Sequence, residues 1–173
     1  TKALIFTFLL FFNLIIVASA ASITISQAGA DPNTVMLGKQ FTVTVSGLSG
    51  SGTVSLVLPS GFSVSESLSK SFSSGTTSVS WTTVVANQKL SAQQISATIT
   101  VAGSPTTATS DYFDVKLPPS LEATVTPSSV SIDQGSSFSL SLNIKNLGET
   151  TARFGSISVS SGFSISSGCV ATD

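Results

Sequence analysis

The segment Leu37-Gly38-Lys39-Gln40-Phe41-Thr42-Val43-Thr44-Val45 decides the fold. A turn glycine precedes a stretch in which Phe41, Val43 and Val45 share one face, while the two threonines share the other. Strict alternation of apolar and polar residues is typical of a half-buried β-strand. The segment therefore predicts a strand over 41–46 with one face packed on a core.

The same period of two continues along the chain and predicts an all-β protein. After residue 20, the stretch from Ala86 to Gln94 is the one candidate for a helix, of about one turn. The stretch from Ser69 to Thr76 is rich in serine and glycine and is not predicted as a strand. The other predicted strands cover 23–26, 53–58, 62–65, 77–85, 95–101, 112–117, 122–126, 138–144, 155–159 and 163–166.

The chain contains an internal repeat. A glycine and a phenylalanine three residues apart occur at 38–41 and again at 135–138, 97 residues later. Gly-Phe-Ser-Val-Ser at 61–65 is matched by Gly-Phe-Ser-Ile-Ser at 162–166. A period near 100 residues is the size of one immunoglobulin-like sandwich. The repeat therefore predicts tandem immunoglobulin-like β-sandwiches.

Pro118 and Pro119 mark the boundary between the two repeats. Proline lacks the N–H that a strand ladder needs, so two in a row favour an extended connection. The predicted organisation is a first sandwich over 21–117, a proline-rich linker over 118–120 and a partial second sandwich over 121–173.

The second sandwich is expected to be incomplete, because about four strands are too few to cover both sheets. Two explanations remain open. The chain is a fragment of a longer protein, or the missing strand comes from a neighbouring subunit, as in donor-strand assembly.

The second unit carries a recognisable pattern: Thr126-Pro127-Ser128-Ser129-Val130, then Asp133-Gln134-Gly135-Ser136-Ser137-Phe138, then Asn143-Ile144-Lys145-Asn146-Leu147-Gly148. It resembles the immunoglobulin-like cell-adhesion-related domains of prokaryotic surface proteins (the CARDB type) and their relatives in secreted glycosidases. The resemblance covers roughly 121–166 and is weaker in the first unit. It implies a spacer, an adhesion module or a surface-layer unit, and it implies a hairpin at Asn146-Leu147-Gly148 that uses positive φ angles.

The N-terminal segment has the order of a secretory signal peptide. Lys2 precedes an apolar run over 3–17, and Ala18-Ser19-Ala20 follows as a cleavage signal, so cleavage is predicted before Ala21. The alternative is a retained membrane anchor or a pilin-like helix in a filament core. The run would span only about 22 Å as a helix, less than the roughly 30 Å of a bilayer core. Contact with a membrane is expected only through residues 3–17, if they are not removed.

Composition argues against several classes of function. Only 9% of the residues are charged, the formal net charge is −1, and the seven basic residues are scattered singly. Nucleic-acid binding needs clustered Lys and Arg, so it is not expected. The 41% of hydrophobic residues, in regular alternation, excludes a disordered chain.

The sequence offers no catalytic, cofactor-binding or metal site. It has no histidine, and it contains neither a nucleophile elbow nor a phosphate-binding loop. The glycine-rich loop over 47–52 joins two predicted strands and opens no helix, so phosphate binding is not expected there. Asp31, Asp111 and Asp114 could ligate calcium between strand ends, but solvated loop carboxylates are the favoured interpretation.

Two single residues have alternative interpretations. Trp81 is predicted to share a strand face with Val79, Thr83 and Val85, as a core tryptophan rather than a platform for sugar stacking. Cys169 is expected to pair with a cysteine beyond this sequence rather than to act as a reactive thiol.

These observations predict an exported, non-catalytic structural or adhesion protein of the cell surface, without cofactors. Its expected partners are other copies of itself, neighbouring surface proteins or carbohydrate. Two alternatives remain, an accessory module of a secreted enzyme and a pilin-like filament subunit.

Overall fold

The computed structural model describes residues 20–153 of the chain. Within this range the backbone forms thirteen β-strands and no helix, so the prediction of an all-β protein is confirmed. Accordingly, no helix in this part of the chain could span a membrane. The N-terminal helix expected at 3–17, the strands predicted at 155–159 and 163–166, and Cys169 lie outside the described residues. The strands are β1 Ser22–Ser26, β2 Thr34–Met36, β3 Gln40–Ser46, β4 Gly52–Val57, β5 Phe62–Val64, β6 Ser69–Phe72, β7 Ser78–Ala86, β8 Leu90–Gln93, β9 Ser96–Val101, β10 Ser104–Thr109, β11 Phe113–Lys116, β12 Leu121–Thr126 and β13 Ser141–Asn146.

Strands β1 to β11 form the first unit. One four-stranded sheet has the order β1-β3-β7-β5, and a second has the order β10-β9-β4-β6. A smaller sheet has the order β2-β11-β8; along the chain, β11 follows β10 and β8 precedes β9. The buried residues of all three sheets belong to one hydrophobic cluster, an arrangement consistent with a β-sandwich.

Strand β3 is an inner strand of the first sheet and supplies part of this core. Phe41, Val43 and Val45 are buried on β3, as the alternation predicts. The Phe41 ring packs edge-on against Phe62, with their centroids 6.1 Å apart, and lies 6.4 Å from the ring of Phe113. This aromatic group joins β3 to β5 and to β11 of the small sheet.

Strand β7 contains a bulge that the sequence pattern does not predict. Val43 of β3 is paired with Trp81, but Phe41 is paired with Val84, so one extra residue is accommodated on β7. The bulge reverses the alternation. Trp81 is fully buried as predicted, whereas Val84 and Ala86, rather than Thr83 and Val85, face the core beyond it.

The carboxylate of Glu66 caps this bulge. Glu66 Oε1 accepts hydrogen bonds from the backbone N–H groups of Thr82 and Thr83, at 2.7 and 3.2 Å, and from the Thr83 hydroxyl at 3.2 Å. Its other oxygen pairs with Lys70. The hydrogen bond from Lys70 and those from the bulge hold the pKa of Glu66 below its usual value.

Replacing Glu66 with glutamine is expected to lower the free energy of unfolding at pH 7 by about 1–2 kcal/mol, the contribution of a charged hydrogen-bond acceptor. Since the folded pKa is depressed, this stabilisation is present above the ordinary value of 4.5 and is lost as the pH falls below it. Urea denaturation of the wild type and of Glu66→Gln at pH 7 and at low pH tests this. The difference between the two proteins should shrink on acidification, and an unchanged difference would contradict the role given to the carboxylate.

Three strands were not predicted, and one prediction is wrong. The expected helical turn within 86–94 is strand β8, which pairs with β11 through Leu90 and Val115. Strands β6 and β10 fall in serine- and threonine-rich segments without alternation, and β2 is only three residues long. Because β10 is an edge strand, it tolerates Pro105 and exposes most of its residues.

Strands β12 and β13 belong to the second unit and reproduce the pairing of β1 with β3. Both pairs are antiparallel, with Leu121 opposite Asn146 in the second unit and Ser22 opposite Ser46 in the first. β13 begins at Ser141, three residues later than predicted.

The turns that precede β3 and β13 are also alike. The Lys39 N–H donates to the Met36 carbonyl and the Ser136 N–H to the Asp133 carbonyl, at 3.2 and 3.1 Å. In each turn the third residue is a glycine with positive φ, 72° at Gly38 and 85° at Gly135. The sequence repeat therefore has the same local conformation in both units.

Candidate functional site: the junction between the two units

The linker after β11 is held against the turn that follows β13. The side chain of Asn146 organises this turn. Its Oδ1 accepts hydrogen bonds from the N–H groups of Ser120 (3.2 Å) and Gly148 (3.0 Å), and its Nδ2 donates to the carbonyl of Thr150 (2.9 Å). One amide side chain thus fixes both the linker and the turn.

Leu117, the first residue after β11, is the centre of the contact. Its N–H donates to the Glu149 carboxylate at 3.0 Å. Its carbonyl accepts from the N–H groups of Glu149 and Thr150, each at 3.2 Å, and from the Thr150 hydroxyl at 3.1 Å. Thr150 is completely buried by this arrangement. Several hydrogen bonds that converge on one backbone segment restrain it more than a single contact would, so they favour a fixed joint rather than a flexible one.

Gly148 is needed at the junction for space. A Cβ at this position would lie 2.1 Å from the Pro118 carbonyl oxygen and 2.7 Å from the Pro119 Cα. Neither Asn146 nor Gly148 has a positive φ, so the positive φ angles expected here are wrong. The residue is glycine because the linker backbone passes directly against it.

The turn also reaches the first unit at two separate points. The Thr151 N–H donates to Asp31 Oδ2 at 3.0 Å, and Glu149 forms an ion pair with Lys89. The Lys89 ammonium and the Leu117 N–H hold the pKa of Glu149 below its usual value. Hydrogen bonding from Thr151 lowers the pKa of Asp31, and the charges of Lys116 and Arg153 act in the same direction. Both carboxylates are therefore stabilised as anions in the joint.

The structure brings Asp31 to this junction but does not gather the three aspartates into a metal site. Asp114 accepts a hydrogen bond from the Ala92 N–H at 2.9 Å, whereas Asp31 accepts one from the Thr151 N–H. Across residues 20–153, no group of three or more acidic, cysteine or histidine side chains is placed to hold a metal ion.

Trp81 cannot serve as a sugar platform because it is fully buried. Its indole N–H donates to the Ser67 carbonyl at 2.8 Å, and the Lys70 ammonium lies 5.1 Å from the ring centroid. The glycine-rich loop over 47–52 joins β3 to β4, as predicted, and buries Leu48.

The second unit presents an exposed apolar face. Leu121, Ala123 and Val125 of β12 share it with Leu142 and Ile144 of β13, and Leu121 and Val125 are each 47% exposed. The opposite face carries hydroxyl, amide and charged side chains. The hairpin therefore has the form of half of a sandwich.

Sequence reasoning noticed the Asn146-Leu147-Gly148 motif and the two prolines separately. It missed Leu117, Glu149 and Thr150, because nothing in a local pattern indicates which backbone groups meet across 33 residues. The available signal was Gly148 itself, since a glycine in a turn allows another backbone to approach closely.

No protein-family model matches the chain, and no curated protein matches it. The resemblance to CARDB-type domains therefore remains a prediction from the residues of the second unit.

Proposed function

We propose that the protein is a non-catalytic structural and adhesive protein of the cell surface, built from tandem immunoglobulin-like β-sandwiches. The observation that carries the proposal is the junction, where the backbone of Leu117 is bonded to the buried Thr150 and the linker passes directly against Gly148. A spacer must keep its domains in a fixed orientation, because a flexible joint would let the array fold back on itself.

The strand order supports the immunoglobulin-like assignment. The order β1-β3-β7-β5 corresponds to the A-B-E-D sheet of that fold, and β10-β9-β4 corresponds to its G-F-C sheet. Two details differ. The core tryptophan lies on β7, which corresponds to strand E, whereas the immunoglobulin fold has it on strand C, here β4. In addition, β5 of the first sheet precedes β6 of the second sheet along the chain.

The repeated pairing and turn of the second unit support a tandem array. Its exposed apolar face supports completion of a second sandwich by further strands, from this protein or from a neighbouring copy. The order of basic residue, apolar run and Ala18-Ser19-Ala20 supports export, and the low content of charge agrees with a surface protein.

Cells that carry the complete gene provide the test. We expect an antibody against the first unit to label intact cells, and mild protease treatment of those cells to remove the label while a cytoplasmic marker is spared. The mature protein should begin at Ala21 by intact mass. A product confined to the cytoplasm would overturn the proposal, and retention of residues 1–20 would favour an anchored or filament-forming protein instead.

A further inference from the structure

A cleft of about 340 Å³ lies on the first unit between β1 and the segment that precedes β11. Ile23 of β1 forms an isolated parallel bridge with Ser110, and the two backbones separate beyond it. The polar residues of the lining include Thr24, Ser26, Asp31, Asn33, Asp111 and Tyr112. The volume falls within the range of roughly 300–1,000 Å³ that small-molecule sites occupy.

The walls of the cleft are held in place by hydrogen bonds. Ser110 is buried; its hydroxyl donates to the Asp111 carbonyl at 2.8 Å and accepts from the Ile95 N–H at 3.1 Å. On the other side, the Thr34 hydroxyl donates to the Asp31 carbonyl at 2.7 Å. The Asp114 N–H donates to the Asn33 carbonyl at 3.0 Å and so joins the two walls. The site is therefore formed before any ligand binds.

Tyr112 is exposed at the mouth of this cleft, with 63% of its surface accessible. Within residues 20–153, the side chains of Tyr112, Asp111 and Asn33 make no hydrogen bond to the protein. A phenol ring, a carboxylate and an amide are thus presented together, with their bonding capacity unused. An exposed aromatic ring beside free polar groups suits a ligand that has both an apolar face and a polar edge.

The charge around the cleft favours a neutral ligand over a cation. Asp31 already accepts a hydrogen bond from Thr151 and lies within the field of Lys116 and Arg153. Asp111 is left as the uncompensated carboxylate of the lining. One carboxylate supplies strong hydrogen-bond acceptors for hydroxyl groups but a weak site for a multiply charged cation.

We propose that this cleft binds carbohydrate, with a pyranose ring stacked on Tyr112 and its hydroxyl groups bonded to Asp111 and Asn33. The C–H face of a pyranose is apolar and its edge is lined with hydroxyls, which matches the ring and the polar side chains of the cleft. The inference rests on the proposed adhesive function and gives it a ligand class.

Tyr112 is the single tyrosine of the chain, so its ring gives one unambiguous NMR signal when tyrosine is ¹³C-labelled. The full chain is titrated separately with the hexasaccharides of β-1,4-glucose, β-1,4-N-acetylglucosamine, β-1,4-xylose and α-1,6-mannose, and with hexalysine. We expect at least one hexasaccharide to shift the Tyr112 signal saturably below about 10 mM, the weak end of specific affinity, and hexalysine to leave it unchanged.

Variants are followed through the backbone amide of Phe113. Tyr112→Ala should weaken binding at least about tenfold, as expected for loss of an aromatic anchor, while Tyr112→Phe keeps the stacking surface and most of the affinity. Leu68→Ala, which removes another exposed apolar side chain away from the cleft, is the control and should bind as the wild type does.

The proposal is overturned if no hexasaccharide shifts Tyr112, if Tyr112→Ala binds as tightly as the wild type, or if hexalysine alone binds. None of these results would alter the geometry of the junction, which is measured independently, so failure of this inference is distinguishable from failure of the structural role.

Discussion

Replacement of Trp81 by alanine is expected to lower the free energy of unfolding of the first unit by about 3–5 kcal/mol, the cost of removing a large buried aromatic side chain. The residue is fully buried next to the bulge of β7, and its indole N–H is bonded to Ser67. Truncation would leave a cavity between the sheets and an unpaired carbonyl in the loop that carries Glu66. This is a large fraction of the stability of a small domain.

The Trp81→Phe variant separates the contribution of the buried apolar surface from that of the hydrogen bond to Ser67. It keeps most of the apolar surface but loses the hydrogen bond to Ser67, so it should cost less than the alanine variant. Urea denaturation followed by circular dichroism measures both, since the tryptophan fluorescence is lost with the residue. Val57→Thr is a matched control at an exposed strand position and should change stability by no more than about 0.5 kcal/mol. A small effect of Trp81→Ala would contradict the central place given to this side chain.

The second large effect is expected from Gly148→Ala at the junction. The new Cβ would overlap the Pro118 carbonyl and the Pro119 Cα, both of them backbone atoms that cannot rotate away. Relief requires the turn to move off the linker, which breaks the bonds between Leu117 and Thr150. We expect the contact to lose about 1–3 kcal/mol, as in other cases of overpacking.

Relaxation of backbone ¹⁵N nuclei measures whether the two units still tumble together. In the wild type, amides of the first unit and of β12 and β13 should report one rotational correlation time, and in Gly148→Ala the second unit should tumble faster. Leu147→Ala is the control, because this neighbouring side chain is exposed while its N–H still donates to Ser120. Equal correlation times in Gly148→Ala would show that the turn does not hold the units together.

The sequence predicts a strand well where one face of the strand is buried and the other is exposed to solvent. The alternation at Phe41, Val43 and Val45 corresponds to β3, and the repeated turn glycines occupy the same conformation in both units. The prediction fails where pairing with another strand determines the conformation, as in β8 and β10. The prediction also assigns the wrong residues of β7 to the core after Trp81. The cause is a bulge that Glu66 stabilises, and the local sequence pattern does not indicate it.

For the candidate sites too, the sequence predicts features that depend on local pattern and misses those that depend on contacts between distant segments. The prolines and the Asn-x-Gly motif located the junction along the chain, but its mechanism depends on backbone groups of Leu117 and Thr150, whose identities carry little information. The pattern predicts Tyr112 only as the start of a strand, and its exposure follows from the position of the segment after Ser110 in the fold.

Residual dipolar couplings of the backbone amides test the central claim, that the two units are joined in a fixed orientation. In a weakly aligned sample of the full chain, the couplings of residues 22–116 and of 121–146 should fit a single alignment tensor with the orientation seen here. Two tensors that differ in magnitude or direction would show that the units move independently, and they would contradict the role of the protein as a rigid spacer.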